Sequence, residues 1–392
     1  MRDLVWRIEA ATPPGRDRAV DALRAAAVLG VVLGHWLVTA LVADSGELRG
    51  DSPLRHMPHL APFSWVFQTL AVFFLVGGMV AARSHASARA RGVPYGRWLR
   101  ARLVRLFGPV AAVLALWAVA AGAMLAAGVG AETVRTLCAL VWSPLWFLLV
   151  FAALTAATPL VARLGPVWPP AVVLCVDLAR FGPEAGPSWL GSVNVAAGWL
   201  VPYCLGAARA RGGRPGRPAC WGLLLGGGAA AAGLVLWAGY PAAMVGVPGA
   251  GVSNLAPPTL AAVCFGLAQC GAALLLLGPL RRAMRRPAAW AAVALVNLRV
   301  MTVFLWHQTA MIAVTAVGLL ADGPLPGLHT PPGGADWVFA RLLWLPVFAV
   351  ALLVCLAAFG VRERGRTGQG EGRRGSRESA VGGGAGWIGS VR

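Results

Sequence analysis

The residues best suited to chemistry in this sequence are ionisable side chains inside apolar segments. Asp21, Arg24 and His35 lie in one apolar run, and His307 lies in another. Arg24 and His35 are eleven residues apart, which on an α-helix is three turns plus roughly 20°. Both therefore lie on one helix face, about 16 Å apart along the axis. An imidazole can take a proton from a weak nucleophile at neutral pH, so this face predicts a site.

Each of these groups also has an ordinary structural interpretation. In that interpretation Asp21 and Arg24 simply pair with each other at the headgroup boundary, and His35 hydrogen-bonds a neighbouring helix. Arg102 and Arg105 are spaced to point the same way at a helix start. Their guanidinium forks suit phosphate oxygens, although basic loops of membrane proteins also carry Arg simply to set the topology.

Aromatic residues beside two later polar positions extend the candidate site. Trp146 belongs to the stretch PLWFLLVF, which otherwise reads as an interfacial aromatic belt. Trp306 and His307 belong to TVFLWHQTA, Thr302 to Ala310. Ionisable groups at membrane depth are costly and usually line a cavity, but His307 and Gln308 could equally be a structural polar pair inside the bundle.

The elements that position these residues must be membrane-spanning helices. The chain has 392 residues, of which 58% are hydrophobic and only 12% charged, whereas soluble domains carry about 25% charged residues. All 34 basic residues are Arg and the net charge is +19. The Arg residues cluster between apolar runs and not along an aromatic-studded surface, so no nucleic-acid partner is expected. Seven scattered Cys without a C-x-x-C pair predict neither disulfides nor a metal site.

Ten apolar stretches are long enough, or nearly so, to cross about 30 Å of hydrocarbon. We therefore predict an all-α integral membrane bundle of about ten transmembrane helices, with both termini in the cytoplasm because Arg clusters alternate between loops. The predicted domains are a cytoplasmic tail (1–18), a membrane domain (19–361) and a disordered basic Gly-rich tail (362–392) that touches anionic lipid. The predicted spans are 19–42, 62–82, 104–128, 139–161, 167–181, 189–208, 219–239, 255–279, 296–320 and 337–361.

An ordered set of short motifs resembles the acyltransferase-3 family of membrane acyltransferases. The motifs are DALR (Asp21–Arg24) with His35 eleven residues later, FFLVGG (73–78), Arg102-Leu-Val-Arg105 before Pro109, PLWFL (Pro144–Leu148) and FLWHQ (Phe304–Gln308). The sequence departs from the family at Gly77, where Ser is common, and at Phe304, where many members have Tyr. The Asn254–Pro258 stretch is similar to actinobacterial members, and no appended hydrolase domain is expected.

The resemblance implies an enzyme of the plasma membrane that moves a short acyl group, in the first instance acetyl, from acyl-CoA to a hydroxyl. The acceptor would be a carbohydrate, an envelope component or a secondary metabolite. It makes His35 the base or transient acyl carrier. Arg24, Arg102 and Arg105 would bind the acyl-CoA phosphates or stabilise the oxyanion, and Asp21 would orient Arg24. Trp146, Trp306 and His307 would line the cavity. No permanently bound cofactor and no metal are expected; acyl-CoA is a co-substrate.

Two other classes of function fit the same composition. A transporter or flippase of a lipid-linked or sugar substrate suits ten spans with polar residues inside them. Against it, no Asp or Glu lies at a confident midplane position, and no repeated half-sequence is found. A non-catalytic scaffold would instead tolerate substitution of His35 and of the Arg pair.

Overall fold

The fold is known from a computed structural model that describes residues 2–161, 163–182, 186–213 and 215–359. The predicted disordered tail, 362–392, lies outside the described residues. Within them, besides three short 3₁₀ helices, the chain forms sixteen α-helices and one β-hairpin. These are α1 (Arg2–Ala10), α2 (Arg18–Val38), β1 (Ala40–Asp44), β2 (Glu47–Asp51), α3 (Pro53–His56), α4 (Phe63–Val66), α5 (Leu70–Ala90), α6 (Tyr95–Ala126), α7 (Ala131–Trp142), α8 (Trp146–Ala156), α9 (Thr158–Val161), α10 (Trp168–Phe181), α11 (Gly191–Ala210), α12 (Arg217–Trp237), α13 (Leu260–Ala283), α14 (Pro287–Leu298), α15 (Val300–Gly318) and α16 (Ala335–Phe359).

The predicted multi-pass helical bundle is confirmed. Nine helical stretches of the described residues are long and apolar enough to cross a membrane. Only a small fraction of α12 and of α16 is buried inside the bundle. Their apolar side chains therefore face outwards, as expected of helices in contact with lipid. The nine stretches are Arg18–Val38, Pro58–Ala90, Tyr95–Ala126, Ala131–Ala156, Ser188–Ala210, Arg217–Trp237, Leu260–Ala283, Val300–Gly318 and Ala335–Phe359.

The fifth predicted span, 167–181, is the short helix α10, which is not among the nine. Its 14 residues extend about 21 Å, and it contains the buried carboxylate of Asp177. That carboxylate accepts from Asn194 Nδ2 at 2.8 Å, from the Tyr240 hydroxyl at 3.1 Å and from the Leu260 backbone N–H at 2.6 Å. The buried charge is therefore satisfied by three donors, and burial together with Asp177 raises the pKa of Tyr240, so its hydroxyl keeps its proton.

The first predicted span ends earlier than expected. It was predicted to reach Val42, but α2 ends at Val38 and Ala40 already begins β1, which pairs antiparallel with β2. The turn between the strands places Ser45 and Gly46 at positive φ, 51° and 84°. Two consecutive residues at positive φ match the twist of a two-residue hairpin turn, so the chain after α2 forms a β-hairpin instead of a longer helix.

Two pairs of helices cross closely because Gly removes the side chain at the contact. On α5 and α11, a Cβ at Gly78 would overlap the carbonyl oxygen of Tyr203, and a Cβ at Gly206 would overlap that of Leu75. Gly227 of α12 and Gly271 of α13 meet each other's helix backbones in the same way. Small residues at such crossings let backbones approach and supply the dispersion contacts that hold helices together in lipid.

Candidate functional site

Two residues of helix α2, Arg24 and His35, line two separate cavities. The inner cavity has a volume of about 240 Å³ and is lined by Arg24, from the first half of α2. The outer cavity has a volume of about 550 Å³ and is lined by His35, three turns further along. Arg24 and His35 lie on the helix face predicted from the sequence, but their side chains line different cavities.

The inner cavity is cationic. Arg24, Arg102 and Arg105 all line it, and its described lining residues include no carboxylate. Asp21, behind the wall, is buried; its carboxylate lies 3.4 Å from the Arg24 guanidinium and accepts from Arg16 Nε at 2.6 Å. An arrangement of three guanidinium groups on two helices suits an anion with several oxygens, such as a phosphate or a pyrophosphate.

Arg102 is held from two sides. Its guanidinium lies over the Trp98 ring at 5.5 Å from the ring centroid and donates to the Val80 carbonyl oxygen at 3.4 Å. Arg105, one turn further along α6, has an exposed side chain and still lines the cavity. The Arg pair predicted from its spacing thus faces one space, together with Arg24.

The outer cavity has a different lining. Polar groups come from the end of β2, the segment before α5 and the α7–α8 junction, and they include Asp51, Gln68 and Ser143. Trp146, as expected, contributes an aromatic wall. Hydroxyl, amide and aromatic groups together are the usual partners of polyhydroxylated ligands with an apolar face.

His35 is backed by two buried polar residues of α15. Gln308 Nε2 lies 3.0 Å from His35 Nδ1, and the His307 ring packs edge-on to His35 with centroids 5.1 Å apart. The Trp36 indole donates to the His307 carbonyl at 3.0 Å, which ties α2 to α15 at this level. His307 Nδ1 donates to the Phe304 carbonyl, so in the neutral ring Nε2 carries no proton.

Among the described residues, two buried acceptors beside His35 have no hydrogen-bond partner. They are His307 Nε2 and Gln308 Oε1. An unpartnered buried polar atom costs roughly 1–3 kcal/mol. Such atoms are rare in folded proteins and need an explanation.

A layer of phenylalanine rings separates the two cavities. Phe73 lines the inner cavity, and its centroid is 5.4 Å from that of Phe147, which lines the outer cavity. Phe304 lies on the outer side, 4.7 Å from Phe147, and Phe151 lies on the inner side, 5.1 Å from Phe73. Any group that passes from one cavity to the other must part these rings.

Two residues predicted to line a cavity lie elsewhere. Trp306 is 3% exposed and stacks on the Phe359 ring at 3.9 Å, and it lines neither the inner nor the outer cavity. His307 lies behind His35 and not in the cavity wall. Trp306 lies about 200° from Phe304 around α15 and so points away from the outer cavity, whereas His307, about 60° from Phe304, packs behind the His35 and Phe304 rings.

Sequence reasoning missed two residues that support the site. Gln308 was visible as the last letter of FLWHQ, four residues after Phe304 and so on the same face. Arg341 is the one charged side chain between Trp337 and Phe359, which is the signal that could have found it. It is 1% exposed and donates to the Trp36, Thr39 and Gly327 carbonyls at 2.6 to 2.9 Å, so a cation closes the C-terminal end of α2.

Comparison with known proteins gives one match. The family model Acyl_transf_3, described as an acyltransferase domain, matches residues 17–360. No curated protein and no solved structure matches the chain.

Proposed function

Since this chain belongs to the acyltransferase-3 family of membrane acyltransferases, we propose that it moves a short acyl group, in the first instance acetyl, from acyl-CoA to a hydroxyl. The acceptor is a carbohydrate, an envelope component or a secondary metabolite. The observation that carries the proposal is the placement of Arg24 and His35, two residues of one helix, in two separate cavities.

The donor belongs in the inner cavity. Its three Arg side chains and its lack of acids among the described lining residues favour the pyrophosphate of acyl-CoA. The Arg-rich loops favour a cytoplasmic position for this end of α2, on the side where acyl-CoA is made, and the plasma membrane is the membrane we propose. Asp21 holds Arg24 at the cavity wall.

The acceptor belongs in the outer cavity, which has more than twice the volume of the inner one. His35 takes the proton of the acceptor hydroxyl while the oxygen attacks the thioester carbonyl carbon. The C–S bond then breaks, and the CoA thiolate leaves and takes up the proton from the imidazolium. If His35 instead carries the acyl group, its nitrogen attacks the thioester carbonyl carbon, the C–S bond breaks and the CoA thiolate leaves. The acceptor hydroxyl then attacks the acyl-imidazole, the C–N bond breaks, and the hydroxyl proton passes to the released imidazole.

The rings between the cavities set a requirement on this route. The thioester end of the donor must pass the contact between Phe73 and Phe147 to reach His35. The packing of Phe151 against Gly77, where a Cβ would overlap the ring, shows how tightly the inner side is filled. A slim pantetheine arm is the part of the donor that suits such a passage.

The test is turnover of radiolabelled acetyl-CoA by purified, detergent-solubilised protein, with and without hydroxyl-bearing acceptors. His35→Ala should lower turnover by at least about 100-fold, since a positioned general base contributes that much. His59→Ala is the matched control, because His59 is an exposed histidine outside both cavities.

Equal activity of the two variants would remove His35 from the mechanism. Absence of both binding and turnover across several acyl-CoAs, with protein that is monodisperse, would contradict the proposal. Counterflow uptake into proteoliposomes without an acyl donor would then favour a transporter.

A further inference from the structure

The amide of Gln308 determines which nitrogen of His35 can react. His35 Nδ1 faces Gln308, so Nε2 is the nitrogen left to meet a substrate in the outer cavity. A neutral imidazole carries one proton, on either nitrogen. Nε2 can accept a proton or an acyl group only when that proton is on Nδ1, and this requires an acceptor opposite Nδ1.

Gln308 can supply that acceptor. In the structure its amide nitrogen lies towards Nδ1, which corresponds to a ring protonated at Nε2, able to donate to a substrate but not to accept from it. A half-turn about the last side-chain bond exchanges the amide nitrogen and oxygen, and this torsion has two broad, nearly equivalent wells. The atom brought to Nδ1 is Oε1, which is buried and has no partner among the described residues.

We propose that Gln308 is a positioning residue that sets the tautomer of His35, by accepting a hydrogen bond from Nδ1–H through its amide oxygen. The inference rests on the proposed function in one respect, that Nε2 of His35 is the reacting atom. It holds equally for a base and for an acyl carrier, since both need a lone pair on Nε2.

The surroundings of His35 leave this role to Gln308. On α15, His307 donates from Nδ1 to the Phe304 carbonyl, so its Nε2 is an acceptor, but among the described residues this atom makes no hydrogen bond, to His35 or to any other group. From α16, the Arg341 guanidinium binds the carbonyls of Trp36 and Thr39. The carboxylate of Asp51, across the cavity, is taken by His56 at 2.7 Å and by the Ser52 N–H.

The tautomer can be read directly from ¹⁵N chemical shifts of histidine-labelled protein in nanodiscs, because protonated and unprotonated ring nitrogens are well separated. The chain has only six His, and the spectrum of His35→Asn identifies the His35 signals. We expect the proton of His35 on Nδ1 in the unsubstituted protein and in Gln308→Glu, since a carboxylate only accepts. Gln308→Leu should lose this preference.

Thr309→Val is the matched control. Thr309 neighbours Gln308 on α15 but its hydroxyl accepts from the Trp117 indole, away from His35. The control should keep the Nδ1–H form. Nε2–H as the main form of His35 in the unsubstituted protein, or an unchanged Nδ1–H signal in Gln308→Leu, would overturn the proposal.

Kinetics give a second readout. Gln308→Leu should lower kcat by at least about tenfold without raising the KM for acetyl-CoA, and Gln308→Glu should restore kcat. In Gln308→Glu the acidic limb of the pH profile should move to higher pH, because the carboxylate stabilises the protonated imidazole. The NMR result stands even if no acyl-CoA is turned over, so failure of the proposed function and failure of the tautomer proposal are distinguishable.

Discussion

At the scale of single residues, Arg105 gives the cleanest test of the donor site. Its side chain is exposed and lines the inner cavity, so its removal should leave packing intact while taking away one charge-assisted contact to phosphate. Such a contact contributes about 1.5–3 kcal/mol. Arg105→Ala should therefore raise the KM for acetyl-CoA by about tenfold or more, with a smaller effect on kcat, as measured by initial rates.

Arg100→Ala is the control for this substitution. Arg100 lies on the same helix and is exposed, but does not line the inner cavity. Both variants lose one cytoplasmic charge, so a general electrostatic effect on donor approach would appear in both. An Arg105→Ala enzyme with the donor KM of Arg100→Ala would count against phosphate binding in this cavity.

Much of the site's layout could be predicted from spacing along single helices. The shared face of Arg24 and His35, and the common direction of Arg102 and Arg105, depend only on helical periodicity, and each of these residues does line a cavity. Which neighbouring helix meets that face is a tertiary property. The partnership of His35 with Gln308, 273 residues away, therefore had no signal in periodicity.

At the scale of elements, the glycines of the FFLVGG motif have a packing role. Gly78 allows α5 to meet α11 at the backbone of Tyr203, and Gly77 makes room for the Phe151 ring beside the inner cavity. The crossing fixes the position of α5, which carries Phe73 and lines the inner cavity together with Arg102 and Arg105 of α6. The motif therefore supports the inner cavity through its shape, without supplying a reacting group.

Gly78→Ala should destabilise the protein, because the added methyl meets backbone atoms that cannot rotate away. Overpacking of this kind costs about 1–3 kcal/mol, so the thermal transition in detergent should fall measurably. Gly226→Ala on α12 is the control, since a Cβ there meets nothing within 4 Å. In a helix interior that change should be neutral or stabilising. Equal transition temperatures would show that α5 and α11 adjust freely.

Element boundaries were harder to predict than the elements themselves. The ninth predicted span, 296–320, is divided at Arg299, where α14 ends and α15 begins, and Arg299 donates to the Leu356 carbonyl at 3.1 Å. Hydropathy averages over a window and does not register one such residue. The early end of α2 was missed for the same reason, since Ala40–Val42 is apolar whether it forms a helix or a strand.

At the scale of the whole molecule, the two cavities differ in charge as the two sides of the membrane do. Arg side chains line the inner cavity, whereas Asp51 is the carboxylate among the described residues that line the outer one. Under the proposed function, electrostatics as well as the phenylalanine layer would keep an anionic donor apart from an uncharged or weakly charged acceptor. Whether the helices after α9 also have the orientation that the Arg clusters favour depends on the number of crossings in the bundle.

The orientation of everything after α9 depends on the short helix α10. Thr158 of α9 contacts the Tyr203 hydroxyl in the second half of α11 at 2.8 Å, whereas Asp177 near the end of α10 contacts Asn194 at the start of α11. Between Thr158 and Asp177 the chain therefore runs antiparallel to α11. Asp177 also contacts Leu260 at the start of α13, so we predict that α10 crosses despite its length and that both termini are cytoplasmic.

Single cysteines in a background that lacks the seven native ones test this with a membrane-impermeant maleimide on intact cells. Leu164→Cys and Pro187→Cys flank α10 at exposed positions, with Arg91→Cys and Ala250→Cys as markers of the inner and outer loops. We expect labelling of positions 187 and 250 from outside, and of 91 and 164 only after permeabilisation. Labelling of positions 164 and 187 from the same side would show that α10 does not cross. The Arg clusters at 209–217 and 281–286 would then face outwards, against the distribution of positive charge that membrane insertion favours.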